Sequence, residues 1–232
     1  DVAPSRGLGD VYKRQVIATP MPTVSGITVM LDSGANSNCK PKHLVQGALM
    51  GSEYAKLLLG KEEPTVGLLN IGEEATKGND VVLATYPILE RMKTINFSGN
   101  IEGRDIPKGV VDVVVCDGFV GNVVLKFAEG LVTGLTQLVK DSIMAGSILA
   151  KIGAMLVKPA LKKLAKRLDH TENGGAPLLG VNGVFMIAHG SSKAKEIKTA
   201  IEIASDLVER KIIQHIRETM DIEGALKYDY DE

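Results

Sequence analysis

Four short loops in this sequence combine glycine with Asn, Asp, Ser, Lys or His, and each follows a run of apolar residues. They are residues 32–36 (DSGAN), 70–79 (NIGEEATKGN), 117–122 (DGFVGN) and 189–192 (HGSS). Glycine lets the backbone approach a ligand closely, and the polar side chains donate or accept hydrogen bonds. Any one of these loops could be an ordinary turn, because turns use the same residue types. Four in succession, each after a predicted strand, indicate a site that binds a polar ligand.

The elements that must position these loops are short apolar strands that alternate with longer helices. Strands are predicted at Ile27–Leu31, 65–71, 95–98, 111–116 and 184–188, and helices at Pro41–Leu59, 80–93, 122–143 and 192–220. This alternation predicts an α/β fold with a mostly parallel sheet that is covered on both faces. In such sheets ligands bind at the carboxyl ends of the strands, where helix N-termini present backbone N–H groups.

The two ends of the chain are expected to lie outside this domain. Residues 5–15 (SRGLGDVYKRQ) show no apolar periodicity and can be back-translated into a sequencing-library adaptor, so residues 1–15 are interpreted as a non-native segment. The alternative is a natural disordered terminus. Residues 16–222 are predicted to form an N-terminally truncated α/β catalytic domain, and residues 223–232 an acidic tail.

Charge and cysteine content exclude several functions. The net charge of −1 argues against a nucleic-acid partner, and Cys39 and Cys116 are isolated, without the spacing of a metal site. No metal and no cofactor are expected. No stretch of eighteen apolar residues occurs, so no membrane-spanning helix is predicted.

A basic amphipathic segment at residues 143–168 is predicted to form a helical hairpin, with Pro159 breaking or kinking its two halves apart. The proposed membrane contacts are apolar and basic side chains, namely Leu149, Ile152, Leu156, Lys158, Lys162 and Lys163. A basic face opposite an apolar face is typical of a helix that lies at a membrane surface. The alternative is a hairpin packed at a dimer interface with its lysines in solvent.

Several motifs together resemble one family. MPTVSG, DSGAN, KPKHLVQGALMGSEYA, VGLLNIGEEATKGN, INFSGNIEGRD, VDVVVCDGFVGNVVLK and IAHGSS, in that order, are similar to the phosphate acyltransferases of bacterial phospholipid synthesis. The resemblance runs from about Val16 to the last predicted helix, without the family's N-terminal third. It implies a Rossmann-like three-layer α/β/α fold related to isocitrate and isopropylmalate dehydrogenases.

The resemblance also implies an activity and partners. The expected reaction moves a fatty acyl group from acyl carrier protein to inorganic phosphate, which gives acyl phosphate. The expected enzyme is a cytoplasmic homodimer, peripherally associated with the inner face of the membrane beside a downstream membrane glycerol-3-phosphate acyltransferase.

That reaction requires a cation and amide donors rather than a nucleophilic triad, because a dianion attacks a thioester and forms an oxyanion. Lys77 is the candidate cation, and Asn122, expected at a helix start, is the candidate amide donor. Asp117 is expected to orient Lys77 or the substrate. The alternatives are a solvated lysine and two helix caps. Residues expected to line the phosphate site are Gly34, Asn36, Asn70, Gly72, Gly78, Gly118, Gly121, His189 and Ser191.

Three other functions compete with this interpretation. A phosphotransacetylase-like enzyme would use acyl-CoA as the acyl donor. A nicotinamide-dependent decarboxylating dehydrogenase would need a cluster of aspartates on a late helix, which the sequence lacks. A non-catalytic membrane-binding scaffold would leave the four polar loops without a role.

Overall fold

Two β-sheets and six helices make up the described chain. The computed structural model describes residues 15–168, 174–188, 190 and 192–222. The strands are β1 (Val16–Ile17), β2 (Thr19–Pro22), β3 (Ile27–Leu31), β4 (Thr65–Asn70), β5 (Asn96–Glu102), β6 (Val113–Val115), β7 (Ala176–Leu179) and β8 (Phe185–Ile187). The helices are α1 (Pro41–Leu59), α2 (Asp80–Arg91), α3 (Gly118–Ala145), α4 (Ile148–Leu168), α5 (Ala194–Glu209) and α6 (Ile212–Ile222), with a 3₁₀ turn at Ile106–Lys108. The predicted α/β class is confirmed.

The larger sheet has the strand order β2-β3-β6-β4-β5. Strands β3, β6, β4 and β5 are parallel, and β2 runs antiparallel to β3 at one edge. The short strand β6 is central, and its three valines are buried. Val115 pairs with Leu31 on one side and with Leu68 on the other, so the carboxyl ends of β3 and β6 are level and β4 extends two residues further, to Asn70.

Helix α1 covers one face of this sheet, and its predicted limits are confirmed. Pro41 lies in its first turn, where its missing N–H costs nothing, and Gly60 ends the helix in the left-handed conformation with φ 65°. A Cβ added to Gly51 would lie 2.9 Å from a methyl group of Val113, so glycine is what lets α1 approach the sheet. Helices α2 and α6 pack beside α1.

Asp112 ties the start of β6 to the start of β4. Its carboxylate accepts hydrogen bonds from the Thr65 backbone N–H at 2.9 Å, the Thr65 hydroxyl at 3.0 Å and the Lys61 ammonium at 2.6 Å. Partial burial raises the pKa of Asp112, but these hydrogen bonds outweigh that effect and hold the pKa below its ordinary value.

The opposite face of the sheet is covered only in part by the described residues. The first turns of α3 pack there, with Val124, Leu125 and Ala128 against a cluster that includes Met30 and Val114. The prediction of helices on both faces is therefore correct for α1 and for the start of α3. Beyond Gly130 the chain leaves this face.

Residues 131–165 are exposed to solvent, and we call them the exposed segment. No side chain in it is buried, and the side chains of Leu138, Met144, Ile148 and Leu149 are all more than 60% exposed. Pro159 does not break this region, because α4 continues through it. A kink at Pro159 stays a prediction. Since this helix is solvent-exposed, water can replace the hydrogen bond that proline removes.

The C-terminal part differs from the prediction in two ways. The strand predicted at 184–188 is β8, and it belongs to a separate antiparallel sheet with the order β1-β7-β8. The single helix predicted over 192–220 is wrong, because α5 ends at Glu209 and Lys211 adopts a left-handed conformation with φ 54°. In one unbroken helix Ile212 would point about 140° away from the buried Leu207. The break returns Ile212 to the core.

Residues 1–14 and the acidic tail at 223–232 lie outside the described residues. The assignment of residues 1–15 as non-native therefore stays a prediction.

Candidate functional site

Three of the four predicted loops meet at the carboxyl edge of the larger sheet. Residues 32–36 follow β3, residues 117–122 follow β6 and residues 70–79 span the end of β4 and the loop after it, and these strands are neighbours in the order β3-β6-β4. Neighbouring strands lie about 5 Å apart, so the three loops begin side by side at this edge, where ligands bind in sheets of this kind. His189 and Ser191, from the fourth loop, lie outside the described residues.

Asp32 organises the first loop from a position that the sequence did not single out. Its carboxylate is buried, with the residue 2% exposed. One oxygen accepts hydrogen bonds from the backbone N–H groups of Ile17, Gly34 and Ala35, at 3.1, 3.1 and 2.9 Å. The other accepts from the backbone N–H and the side-chain amide of Asn36, at 2.8 and 2.9 Å. The N–H groups of Gly34 and Asn36 thus already donate to Asp32 and are not free to donate to phosphate. The contact of these two residues with phosphate stays a prediction.

The start of α3 packs directly against this loop. The Gly118 N–H donates to the Asn36 carbonyl oxygen at 2.7 Å. A Cβ on Gly118 would lie 2.8 Å from the Asn36 backbone, and one on Gly121 would lie 3.0 Å from the Asp32 carbonyl carbon. Real Cβ atoms do not approach backbone atoms so closely. Both glycines are therefore needed for the contact between the first loop and α3.

Asp117 caps α3, as its alternative interpretation held, but Asn122 does not lie at the helix start where it was expected. The helix starts at Gly118, four residues earlier than predicted, because Asp117 caps it by accepting from the Val120 N–H at 2.8 Å. Asn122 therefore lies in the second turn of α3 rather than at its start. Its exposed side chain faces the position of a Cβ on Gly34, 3.6 Å from the Asn122 Cγ. Asp117 forms no ion pair with Lys77 in the part of the chain that the structure describes.

The Lys77 loop, residues 71–79, is held by the side chain of Asn70. The Asn70 carbonyl oxygen accepts from the Ile71 N–H at 2.8 Å, and its amide donates to the Lys77 carbonyl oxygen at 2.8 Å. Gly72 and Gly78 make room: a Cβ on Gly72 would lie 3.1 Å from the Lys77 Cγ, and one on Gly78 would lie 2.8 Å from the Asn70 carbonyl oxygen. Lys77 is exposed, and its ammonium has no partner among the described residues.

Cys116, at the end of β6, is not a nucleophile of this site. Burial raises the pKa of its thiol well above the ordinary value, and the nearby carboxylates of Asp117 and Asp32 add to this effect. A protonated, buried thiol does not attack a carbonyl. Among the described residues, no group of three or more His, Cys, Asp or Glu side chains could hold a metal ion.

The predicted membrane contacts are all accessible. Leu149 and Leu156 are nearly 80% exposed, and Lys158, Lys162 and Lys163 are exposed on the same helix. Helix α3 is long and apolar enough, by length and composition alone, to cross a membrane, although the sequence predicted no such helix. One such helix is weak evidence for a span.

Comparison with known proteins shows the family. Residues 7–215 match the profile of the family described as fatty acid synthesis protein. This chain is a member of that family. Relatives named phosphate acyltransferase share 53% identity in Pelotomaculum thermopropionicum and 52% in Desulfitobacterium hafniense, over 94% and 92% of this chain. The resemblance recognised in the sequence motifs is confirmed.

The family members are longer than this chain, which covers 65% and 64% of those two relatives and 63% of the phosphate acyltransferase of Heliobacterium modesticaldum, to which it is 54% identical. The chain thus spans less than two thirds of their length. A solved structure, EutD phosphotransacetylase from Staphylococcus aureus, has a TM-score of 0.42 and 17% identity over 52% of this chain and 43% of its own.

Proposed function

We propose that this chain carries part of the active site of a phosphate acyltransferase, which transfers a fatty acyl group from acyl carrier protein to inorganic phosphate. The observation that supports this most is the exposed ammonium of Lys77, which has no partner among the described residues and lies in the loop after β4, together with the exposed amide of Asn122 in the helix after the neighbouring strand β6. The names of the relatives agree with a reaction that uses phosphate.

In the proposed reaction a phosphate oxygen attacks the thioester carbonyl carbon. The C–O bond forms as the carbonyl oxygen takes the negative charge of a tetrahedral intermediate. When the carbonyl reforms, the C–S bond breaks and the thiolate leaves with its electron pair, to be protonated by solvent. Lys77 neutralises the phosphate, and the Asn122 amide donates to the oxyanion. His189 and Ser191 are proposed as further phosphate contacts.

A Rossmann-like, isocitrate dehydrogenase-like domain that forms homodimers remains our proposal for the whole protein. The parallel strands β3, β6, β4 and β5, with helices on one face and α3 on the other, support it. A second copy would cover part of the apolar side chains of the exposed segment. Large contiguous apolar patches on protein surfaces usually mark interfaces.

We further propose that α4 touches the inner face of the cytoplasmic membrane, where a membrane glycerol-3-phosphate acyltransferase would consume acyl phosphate. Residues 142–168 contain six basic residues and no acidic one. Each cation near anionic lipid contributes at most about 1 kcal/mol, so the apolar side chains of α4 must supply the rest.

The deciding assay measures acyl phosphate formed by the full-length protein from acyl carrier protein thioester and phosphate. Acyl-CoA in place of that thioester tests the phosphotransacetylase alternative, and vesicle binding without any transfer would favour the scaffold. A parallel assay of residues 16–232 alone should give little or no product, because the relatives' additional third is expected to complete the crevice. Full turnover by that fragment would contradict this expectation.

A further inference from the structure

Asn100 lies on β5 next to the Lys77 loop, and it is not among the site residues predicted from the sequence. Its side chain is buried, with the residue 6% exposed. Its amide donates to the Glu74 carbonyl oxygen at 2.9 Å, and the Lys77 N–H donates to the same oxygen at 3.1 Å. The carbonyl of Glu74 thus joins Asn100 to the turn that carries Lys77.

A β-bulge directs Asn100 to this position. Between the pairs Val66–Phe97 and Leu68–Asn100, β5 has one residue more than β4, and Gly99 in the bulge has φ 89°. An extra residue reverses the face on which the following side chains lie. Phe97 and Asn100 are three residues apart and would lie on opposite faces of a regular strand. The bulge puts the Asn100 side chain on the same face of the sheet as Phe97.

Only one end of the Asn100 amide is bonded. Its side-chain carbonyl oxygen is buried and has no hydrogen-bond partner among the described residues, whereas both ends of the Asn70 amide are bonded within the Lys77 loop. Exchanging the oxygen and nitrogen of Asn100 would place its oxygen against the Glu74 carbonyl oxygen, so the orientation is determined. Buried acceptors are nearly always paired. One left open beside a loop with an unpaired lysine indicates that the loop gains a donor there when its ligand binds.

We propose that Asn100 is a positioning residue for phosphate: its amide anchors the Glu74–Lys77 turn, and its open carbonyl oxygen accepts a hydrogen bond that forms when phosphate binds. This inference rests on the proposed function of Lys77. Asn70 attaches the Lys77 loop to β4, the strand that the loop follows, and Asn100 attaches it to the neighbouring strand β5.

The test compares Asn100→Leu with Asn96→Ala in the full-length protein. Leucine has a similar shape and removes a buried unpaired acceptor, so the fold should tolerate it. Asn96 is the matched control, because it lies on the same strand and donates to the Glu63 carbonyl oxygen at 3.3 Å, but at the opposite edge of the sheet. Two readouts are needed: the KM for phosphate against the KM for the acyl donor, and hydrogen exchange of residues 71–79 with and without saturating phosphate.

We expect Asn100→Leu to raise the KM for phosphate about fivefold to tenfold, as for one or two lost hydrogen bonds, with the KM for the acyl donor unchanged. Exchange of residues 71–79 should accelerate, and phosphate should no longer slow it. Asn96→Ala should resemble wild type in both readouts. A phosphate KM within about twofold of wild type, or an equal rise in both KM values, would overturn the inference. If wild type makes no acyl phosphate, the proposed function fails, and unchanged exchange in Asn100→Leu would then refute the anchoring separately.

Discussion

Gly121→Ala is the substitution for which the structure gives the clearest consequence. A Cβ at this position would lie 3.0 Å from both the Asp32 carbonyl carbon and the Cys116 sulfur, and closer still to the Asp32 carbonyl oxygen. Non-bonded carbon atoms prefer separations of about 3.5 to 4 Å, so α3 must move away from the loop at 32–36 by about 1 Å or more. No flexible side-chain end lies there to move instead.

Two opposing effects set the expected loss of stability. Alanine is favoured over glycine inside a helix by about 1 kcal/mol. Overpacking against a well-packed interior costs about 1 to 3 kcal/mol, and a rigid backbone neighbour places this case near the upper end. We expect the free energy of unfolding to fall by about 2 kcal/mol. Because Asn122 follows directly and moves with the helix, acyl transfer should fall about a hundredfold, as for a displacement of about 1 Å in a catalytic group.

Gly130→Ala is the matched control, because Gly130 lies in the same helix with nothing within 4 Å of an added Cβ. It should raise the free energy of unfolding by a few tenths to 1 kcal/mol and leave acyl transfer unchanged. The measurements are chemical unfolding and initial rates for wild type and both variants of the full-length protein. If Gly121→Ala is as stable and as active as Gly130→Ala, the close contact between α3 and the Asp32 loop is not required.

Three further predictions follow from the lysine loop, the exposed segment and the strand tie. Lys77→Ala should lower kcat by roughly a hundredfold, equivalent to about 3 kcal/mol, with an unchanged thermal midpoint and poor rescue by arginine; a loss below about fivefold would remove Lys77 from the site. Replacing Leu149, Ile152 and Leu156 with Glu should abolish binding to anionic vesicles but not acyl transfer in solution, whereas loss of a soluble dimer with unchanged lipid binding would favour dimer packing. Asp112→Asn should lower the free energy of unfolding at pH 7 by about 2 kcal/mol. Since the folded-state pKa of the Asp112 carboxyl is depressed, the difference in free energy of unfolding between wild type and Asp112→Asn should be present above the unfolded-state pKa and disappear as pH falls through the folded-state pKa. A stability difference independent of pH would contradict the role of the ionised Asp112 carboxylate.

Local signals explain which elements the sequence predicted well. The limits of α1 are marked by Pro41 and Gly60, whose backbone preferences act on their own. The α/β class follows from the alternation of short apolar runs with longer helices. The loops at the ends of β3, β6 and β4 were identified because glycine and polar residues directly follow those runs.

The differences arise where distant parts of the chain decide the structure. Lys211 gives no sign of a helix break, which becomes favourable only because the core needs Ile212 on the same side as Leu207. Asn100 is one polar residue in a strand-like run, and its role depends on a bulge in β5 and on a loop some 25 residues earlier. Asp117 is the cap of α3, as the alternative interpretation from the sequence held, since Asp before a helical run is a common start.

The position of β6 determines the order in which the sheet can form during synthesis. Strands β3 and β4 do not pair with each other, because β6 lies between them. During synthesis β3 and β4 leave the ribosome well before Val113–Val115, so the edge of each strand that later pairs with β6 stays unpaired until these three valines have been made. Contacts between residues so far apart in sequence form slowly, and unpaired edges are open to other chains in the meantime. A nascent chain that stops before residue 113 would therefore hold two halves of a sheet with nothing to join them.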